Sequence, residues 1–266
     1  MAKQKSYITI DGTLGGLTFY RTNGKNFIKT KGGIERERIL NESNFRRTRE
    51  NMQEFAGAAK VGKALRLGYA SVIQSMRDRT MVGRLTGVMK RINLLGPGNR
   101  GERGFEILPN AQLIADFEFN KELSLSSIFF APFGDPTLDA NRSIATWVVP
   151  DFNTDTYIKP PDGATHFKLL LASTVLSDYV YEPSLKGYEP TNEAENVVNG
   201  IDFSAEIPLG GLVGADTNLT VDLGFSAALP ATVGVVVSVG IIFYQEVNGT
   251  MYEFASDNAM RIALVG

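Results

Sequence analysis

Apolar residues recur at helical spacing in the part of the chain before residue 96. One apolar pattern starts near Asn44 and consists of Phe45, Met52, Phe55, Ala59, Leu65, Tyr69, Val72 and Met76. The clearest pattern steps by four, three, four and three residues through Met81, Leu85, Val88, Ile92 and Leu95. This heptad-like seam is too short for a coiled coil, so we predict that it packs within a helical hairpin.

Alternating residues ahead of these helices predict a small β-meander over residues 6–31. The predicted strands are Tyr7–Ile10, Leu17–Arg21 and Asn26–Thr30. The Asn23-Gly24 pair is the signal for a type I′ hairpin, and Gly12–Gly16 is expected to form the turn between the first two strands. Three short strands bury little apolar surface. The meander therefore needs a partner surface, either the helices or another subunit.

Short apolar runs separated by Gly, Pro, Asn and Asp fill the chain after residue 105. The strand candidates are Gln112–Phe119, Leu123–Phe130, Ser143–Val149, Thr165–Ser173, Asp178–Tyr181, Ile201–Ile207, Leu219–Ala227, Val233–Gln245, Met251–Phe254 and Met260–Val265. Asn248-Gly249 predicts a tight hairpin. This spacing favours an antiparallel β-sandwich of jelly-roll-like form. The predicted fold class is α+β: an N-terminal β-meander with a helical hairpin, and a C-terminal sandwich.

Glycine and proline cluster where the two patterns meet. The stretch from Leu94 to Gly101 contains three Gly and one Pro, which is typical of a helix end followed by a linker. We therefore predict a basic β-meander and helical region over residues 1–95, a Gly/Pro linker over 96–105, and an acidic β-sandwich domain over 106–266.

Charge divides the chain at the same place. The whole chain carries 27 Lys and Arg against 29 Asp and Glu, a net charge of -2. Residues 1–105 hold 21 basic and 8 acidic side chains, or +13, whereas residues 106–266 hold 6 basic and 21 acidic, or -15. Such a split permits a basic region that meets an external polyanion. It equally permits two regions that meet each other, within or between subunits.

Two sets of charged residues are the candidate contact surfaces. The basic set, expected to contact a neighbouring subunit or a polyanion, is Arg46, Arg47, Arg49, Lys60, Lys63, Arg66, Arg77, Arg79 and Arg84. The acidic set, expected to form the counter-surface, is Asp178, Glu182, Glu189, Glu193 and Glu195. For both sets an ordinary solvated face is the alternative.

Two motifs approach known ion-binding patterns without completing them. Gly57–Ala64 nearly matches the phosphate-binding loop G-x-x-x-x-G-K-[ST], but Ala64 replaces the hydroxyl residue and no buried strand precedes it. Asp151–Asp155 has the spacing of a calcium loop, but Thr156 stands where that loop needs Gly. We interpret the first as glycines at a tight helix contact and the second as a polar loop. No metal site and no cofactor are predicted.

The usual catalytic residues are scarce. The chain has no Cys, which excludes disulfides, thiolate zinc sites and cysteine nucleophiles. Its one His, His166, lies in a strand-like run, and no G-x-S-x-G elbow accompanies it. We therefore expect a protein that is not an enzyme and assign no catalytic residue.

The N-terminal segment resembles the openings of a set of uncharacterised Bacteroidota proteins. They share the pattern GTxGGxTFY…KGG…RTREN, matched here by Gly12–Tyr20, Lys31–Gly33 and Arg47–Asn51. Phe243–Gly249 is similar to a FYQEVNG segment near the end of the same proteins. The resemblance implies a bacterial or phage setting. It supplies no activity and no site residue.

Opposite charges, a meander with little core and the missing catalytic set favour a self-assembling structural subunit. It would be a homo-oligomeric or polymeric virion, tail or filament component that uses its complementary basic and acidic regions. One alternative is a nucleic-acid-associated protein that uses the basic helices. Another is a carbohydrate-binding β-sandwich, for which Trp147 and the Tyr-rich acidic segment are the hints.

No stretch of the chain has the character of a signal peptide or a membrane span. The longest apolar run, Val233–Tyr244, is too short to cross a bilayer and fits a buried strand. We expect cytoplasmic synthesis without a signal peptide and no membrane insertion. A place in a virion or an extracellular assembly is compatible with this expectation.

Overall fold

The structure is a computed structural model that describes residues 2–3, 10–30 and 32–266. It divides the chain into two compact units, the N-terminal unit (Met1–Arg49) and the C-terminal unit (Glu50–Gly266). Most of the first predicted strand, Tyr7–Ile10, lies outside the described residues.

The N-terminal unit contains an antiparallel sheet followed by short helices. Its strands are β1 (Ala2–Lys3), β2 (Gly12–Leu14), β3 (Leu17–Thr22) and β4 (Lys25–Thr30), in the order β1-β4-β3-β2. The helices α1 (Arg36–Asn41) and a 3-10 helix at Ser43–Phe45 follow. The predicted hairpin at Asn23-Gly24 is confirmed, because these residues have φ of 49° and 73°, as a type I′ turn requires.

The turn expected over Gly12–Gly16 is shorter than predicted. Strand β2 occupies its first three residues, and Gly15 and Gly16 alone make the turn, with φ of 55° and 81°. Glycine adopts these positive values at little cost, so a two-residue turn is sufficient and the preceding residues can pair with β3.

Three helices follow, namely α2 (Arg46–Gly68), α3 (Ile73–Met76) and α4 (Met81–Leu95). The predicted seam on α4 is buried up to Ile92, whereas Leu95 is exposed. The predicted contact within a helical hairpin is also present, since Leu85 packs beside Gly62 of α2. The continuous helical pattern expected through Met76 breaks after Gly68 into a turn, and α3 is a separate short helix.

The C-terminal unit is dominated by antiparallel strands. They are β5 (Thr137–Leu138), β6 (Ile144–Val149), β7 (His166–Ser177), β8 (Tyr179–Glu182), β9 (Gly187–Pro190), β10 (Asn199–Phe203), β11 (Ile207–Pro208), β12 (Thr217–Asp222), β13 (Val233–Val247), β14 (Thr250–Glu253) and β15 (Ala259–Val265). A six-stranded sheet has the order β10-β7-β13-β14, with β11 beside β7 and β15 beside β13. A three-stranded sheet has the order β12-β6-β5, and β8 pairs with β9.

The long strands β7 and β13 are buried on both faces. Leu170 and Val236 belong to the core that includes α2 and α4, whereas Leu171 and Val235 belong to the core that includes the three-stranded sheet. Because neighbouring residues of a strand face opposite sides, a strand between two cores carries apolar residues at consecutive positions, as Leu169–Ala172 of β7 and Val235–Val237 of β13 do. The C-terminal unit therefore has a helical layer, a six-stranded sheet and a smaller sheet. The predicted α+β class with a sandwich-like sheet is confirmed.

Two predicted strands are wrong. In place of Gln112–Phe119 the structure has the end of a 3-10 helix (Leu108–Leu113) and a turn, because Asp116 has a φ of 60° that interrupts an extended run. In place of Leu123–Phe130 it has the short helix α5 (Leu125–Ile128). The carboxylate of Glu118 accepts a hydrogen bond from the backbone N–H of Leu125, which satisfies a donor at the start of that helix.

The predicted linker at residues 96–105 is packed into the C-terminal unit. The N–H of Gly96 donates to Ile92 O, and the N–H of Gly101 donates to the buried carboxylate of Glu54 at 2.7 Å. The boundary between the compact units lies between Arg49 and Glu50 instead. The reason is the shared core: the apolar faces of the helices are buried together with the six-stranded sheet.

The net charges of the two compact units differ from those of residues 1–105 and 106–266. The N-terminal unit has 11 basic and 4 acidic side chains, a net charge of +7, and the C-terminal unit has 16 and 25, a net charge of -9. In the described part of the chain, none of the helices has both the length and the apolar composition that crossing a bilayer demands.

Candidate contact surfaces and a basic groove

One face of the N-terminal sheet is apolar. The register pairs Leu14 with Leu17 and Phe19 with Ile28. Residues directly opposite on paired strands share a face, and so do alternate residues of one strand. These four side chains therefore form one patch, called the apolar face below.

The chain by itself leaves the apolar face incompletely buried. Leu14 is 66% exposed and Leu17 is 38% exposed, while Phe19 and Ile28 are only partly buried. None of the described residues before Glu50 is buried. A sheet of this size ordinarily needs a hydrophobic face packed against something else in order to be stable.

The opposite face of this sheet is aromatic and basic. Tyr20 stacks on Phe27 with ring centroids 5.7 Å apart, and Lys29 Nζ lies 5.4 Å from the centroid of Tyr20. The lysine therefore makes a cation–π contact. The two faces of the sheet thus differ in chemistry.

The first three members of the basic set lie at the start of α2. Arg46 and Arg47 are exposed. Arg49 is partly buried, and its guanidinium donates to Ile39 O at 2.7 Å and to Glu42 O at 2.8 Å. Arg49 thus ties the end of α1 to α2 and has a structural role.

One pair joins the basic and acidic sets within a single chain. Lys60 Nζ of α2 lies 2.6 Å from Glu189 Oε2 of β9, and both side chains are about half exposed. The residues are separated by 129 positions. At this point the opposite charges of the chain neutralise each other in cis.

Arg84 is partly buried and engaged by groups of its own chain. It pairs with Asp78 at 2.7 Å and donates to the carbonyl oxygens of Glu118 and Phe119. Burial alone raises the pKa of Asp78, but hydrogen bonds from the N–H of Lys121, from Thr80 and from Arg84 outweigh burial and lower the pKa. With Lys60 and Arg84 both paired, the basic set does not form one continuous surface.

Three other members of the basic set surround a groove. Lys63, Arg66 and Arg77 line it together with Gln74 and four apolar residues, and its volume is about 220 Å³. No carboxylate lines this groove. Arg79, in contrast, is exposed between α3 and α4 and does not line it. The structure therefore brings together three of the nine predicted basic residues.

The acidic set does not form one counter-surface. Asp178 is half-buried and accepts a hydrogen bond from the N–H of Ile107 at 2.7 Å. Glu182 accepts one from the N–H of Ser184. Glu193 is exposed and Glu195 partly exposed, in the segment between β9 and β10. Asp178 is thus part of the framework, and the other acidic residues lie nearer the surface.

We expect Asp178→Asn to stabilise the protein at neutral pH. Burial, and to a smaller extent the charge of Glu106, raises the pKa of Asp178 to about 6, although the hydrogen bond from Ile107 lowers it. Stability contributed by a carboxyl group with a raised pKa is present below its unfolded pKa and is lost as pH rises through the folded value. An Asn side chain still accepts the hydrogen bond from Ile107 and carries no charge.

Urea unfolding at pH 4 and pH 7 measures this effect. At pH 7 the variant should be about 1 kcal/mol more stable than the wild type, an estimate reduced for the partial exposure of Asp178. At pH 4 the advantage should disappear. Glu193→Gln is the control and should change neither value, since Glu193 is exposed. An Asp178→Asn variant that is no more stable at pH 7 would contradict the prediction.

The two incomplete motifs have structural roles. All of Gly57–Ala64 lies within α2, and Gly57 packs against the ring of Tyr188, as expected for a tight contact rather than a phosphate loop. The carboxylates of Asp151 and Asp155 accept hydrogen bonds from the N–H groups of Gly214 and Gly211. Within the described ranges, no group of three or more acidic or His residues could hold a metal ion.

The aromatic residues suggested for carbohydrate binding are largely internal. Trp147 is 1% exposed and donates its indole N–H to Gly134 O. Tyr179 and Tyr188 are also buried. None of these three rings can present a face for a sugar to stack on. His166 is near the surface, where its Nδ1 bonds to Thr165 Oγ1 and its Nε2 lies 4.0 Å from Glu246.

Comparison with protein-family models, curated proteins and solved structures finds no match to this chain. The function must therefore be argued from the apolar face, the charge distribution and the basic groove. Sequence reasoning missed the apolar face, although the alternation of Leu17 and Phe19 with polar residues carries its signal. It named the three cations of the groove but not their common location.

Proposed function

We propose that this protein is a structural subunit that assembles with copies of itself through its N-terminal unit, as a virion, tail or filament component would. The observation that carries the proposal is the apolar face together with the absence of any buried residue among those described before Glu50. Burying an exposed leucine is worth about 1.5–3 kcal/mol, so a second copy that covers this face gains appreciable free energy.

Charge favours a head-to-tail arrangement of the copies. Two N-terminal units, each at +7, repel one another, whereas the C-terminal unit at -9 attracts the N-terminal unit of another copy. A head-to-tail contact joins two different surfaces, so each end of an open assembly keeps one of the two surfaces unoccupied. Such heterologous contacts generate rings if the rotation closes and filaments if it does not.

Light scattering coupled to size-exclusion chromatography tests the proposal. We expect the wild type to form species larger than the 29.0 kDa monomer at low salt and high concentration. Leu14→Thr with Leu17→Thr should weaken this association about tenfold or more, because it removes apolar area while threonine keeps strand propensity. High salt should also weaken it, since the attraction between the units is screened.

Matched controls separate the apolar face from exposed apolar residues in general. Val148→Thr and Val180→Thr make similar changes at positions that are 43% and 50% exposed in the C-terminal unit. These variants should assemble like the wild type. A wild type that stays strictly monomeric at low salt and high concentration would refute self-assembly. Equal effects of the two pairs of substitutions would show that the apolar face is not the contact.

A further inference from the structure

The basic groove has an apolar floor and a cationic rim. Ile73 and Met81 are buried at its base, and Leu67 is half exposed beside them. Lys63, Arg66 and Arg77 line it as well, and of these Lys63 and Arg77 are exposed and Arg66 is partly buried. The groove lies wholly within the C-terminal unit, between the end of α2, α3 and the start of α4.

The two guanidinium groups are positioned by bonds that leave donors unused. Arg66 Nε donates to Gly62 O at 3.2 Å, and Arg77 Nε donates to Gln74 Oε1 at 3.1 Å. Each arginine keeps its terminal NH₂ groups for another acceptor. Throughout the described ranges, no carboxylate forms an ion pair with Lys63, Arg66 or Arg77. Three uncompensated cations therefore border one apolar cleft.

We propose that this groove binds a phosphate monoester that carries a small apolar group. The cationic rim of Lys63, Arg66 and Arg77 would hold the phosphate, and the floor of Ile73 and Met81 would contact the apolar group. The proposal is independent of self-assembly, because it uses neither the N-terminal unit nor its apolar face.

The charge and size of the groove determine this ligand class. Arginine forks match the oxygens of phosphate in paired hydrogen bonds, and a dianion balances three positive charges better than a single carboxylate does. The volume of about 220 Å³ is below the roughly 300–1,000 Å³ of pockets for drug-sized ligands. The apolar part inside the groove is therefore small, or is one end of a longer chain.

Calorimetric titration of the full chain with phenyl phosphate tests the proposal. We expect phenyl phosphate to bind more tightly than both inorganic phosphate, which lacks the ring, and benzoate, which has one negative charge. Arg77→Gln should weaken phenyl phosphate binding about tenfold, the usual effect of losing a charge-assisted hydrogen bond. Leu67→Ser should reduce the advantage of phenyl phosphate over inorganic phosphate.

Arg91→Gln is the matched control. Arg91 is exposed on α4 and does not line this groove, so its replacement removes the same charge elsewhere. It should leave phenyl phosphate binding within about twofold of the wild type, because distant exposed charges are screened by salt. Thermal unfolding of each variant shows whether the fold is intact, and both arginines are exposed enough for the variants to fold.

Vesicles distinguish a free ligand from a lipid. Phosphatidic acid also carries a phosphate monoester, so cosedimentation with phosphatidylcholine vesicles that contain it is the second arm. If binding to these vesicles is lost in Arg77→Gln but kept in Arg91→Gln, the phosphate monoester that the groove binds is a lipid headgroup. Failure of both phenyl phosphate and these vesicles to bind, or equal losses in the two variants, would overturn the proposal.

Discussion

Replacing Glu54 with alanine is expected to lower the free energy of unfolding by about 3–5 kcal/mol, the usual cost of removing one partner of a buried ion pair. The side chain of Glu54 is 1% exposed. Its carboxylate bonds to Lys90, accepts the N–H of Gly101 at 2.7 Å and lies 3.8 Å from Arg103. The substitution leaves the N–H of Gly101 without this acceptor and removes the negative charge beside Lys90 and Arg103.

Glu102→Ala is the control for this effect. Glu102 is exposed between Gly101 and Arg103, so its replacement should change stability by less than about 0.5 kcal/mol. Urea unfolding followed by circular dichroism measures both variants at pH 7. A Glu54→Ala variant as stable as Glu102→Ala would show that the ion pair contributes nothing.

The pH dependence of stability gives a second measure of the role of Glu54. Burial alone raises the pKa of Glu54, but hydrogen bonds from Lys90 and Gly101 and the charges of Lys90 and Arg103 outweigh burial and lower the pKa. The stabilisation is therefore present above the unfolded pKa and is lost as pH falls through the lowered folded pKa. The difference between the wild type and Glu54→Ala should shrink in acid.

Replacing Gly68 with alanine is expected to lower the free energy of unfolding by about 3 kcal/mol, as overpacking of a rigid core contact does. Gly68 is the last residue of α2 and is buried against β7. A Cβ atom there would lie 1.9 Å from Thr174 Oγ1 and 2.4 Å from Thr174 Cβ. Thr174 is β-branched and fixed in the central sheet, so the helix must move instead.

Gly87→Ala makes the same chemical change where space is available. Gly87 lies inside α4, and a Cβ there would meet nothing within 4 Å. Alanine is the better helix former, so this variant should be up to about 1 kcal/mol more stable than the wild type. Opposite signs for the two glycines in urea unfolding would confirm the packing argument. A Gly68→Ala variant at least as stable as the wild type would contradict it.

Local signals were enough to predict much of the β structure. The two Asn-Gly turns specify their hairpins because both residues adopt the positive φ that a type I′ turn demands. The apolar run that starts at Val233 predicts β13, and the alternation after Ser143 predicts β6. Each of these signals depends only on residues close together in the chain, and the structure confirms each element.

Prediction from the sequence failed for apolar residues whose burial depends on tertiary contacts. The apolar positions between residues 112 and 130 suggested strands, but they reach the core from turns and a short helix. Met52 and Phe55 fit the helical pattern of α2, yet they are more than half exposed. Periodicity indicates which residues could be buried and does not show whether a surface is present to bury them.

The candidate contact residues show the same difference between what the sequence predicts and what only the fold decides. The basic residues were predicted as a set, but only folding sorts them. Lys60 becomes paired with Glu189 and Arg84 becomes paired with Asp78. Lys63, Arg66 and Arg77 become the rim of a groove. The distance between Lys60 and Glu189, which are 129 positions apart in the chain, is set by the fold and cannot be read from the order of the residues.

The sequence by itself determined the α+β class, the hairpins, the main strands and the lack of cysteine chemistry, because these follow from composition and from short-range periodicity. Only the tertiary structure decided that the helices share a core with the acidic sheet, that the boundary lies after Arg49, and which charges meet. The physical reason is that burial and ion pairing depend on contacts between residues distant in the chain, which the hydrophobic effect selects for the whole molecule at once.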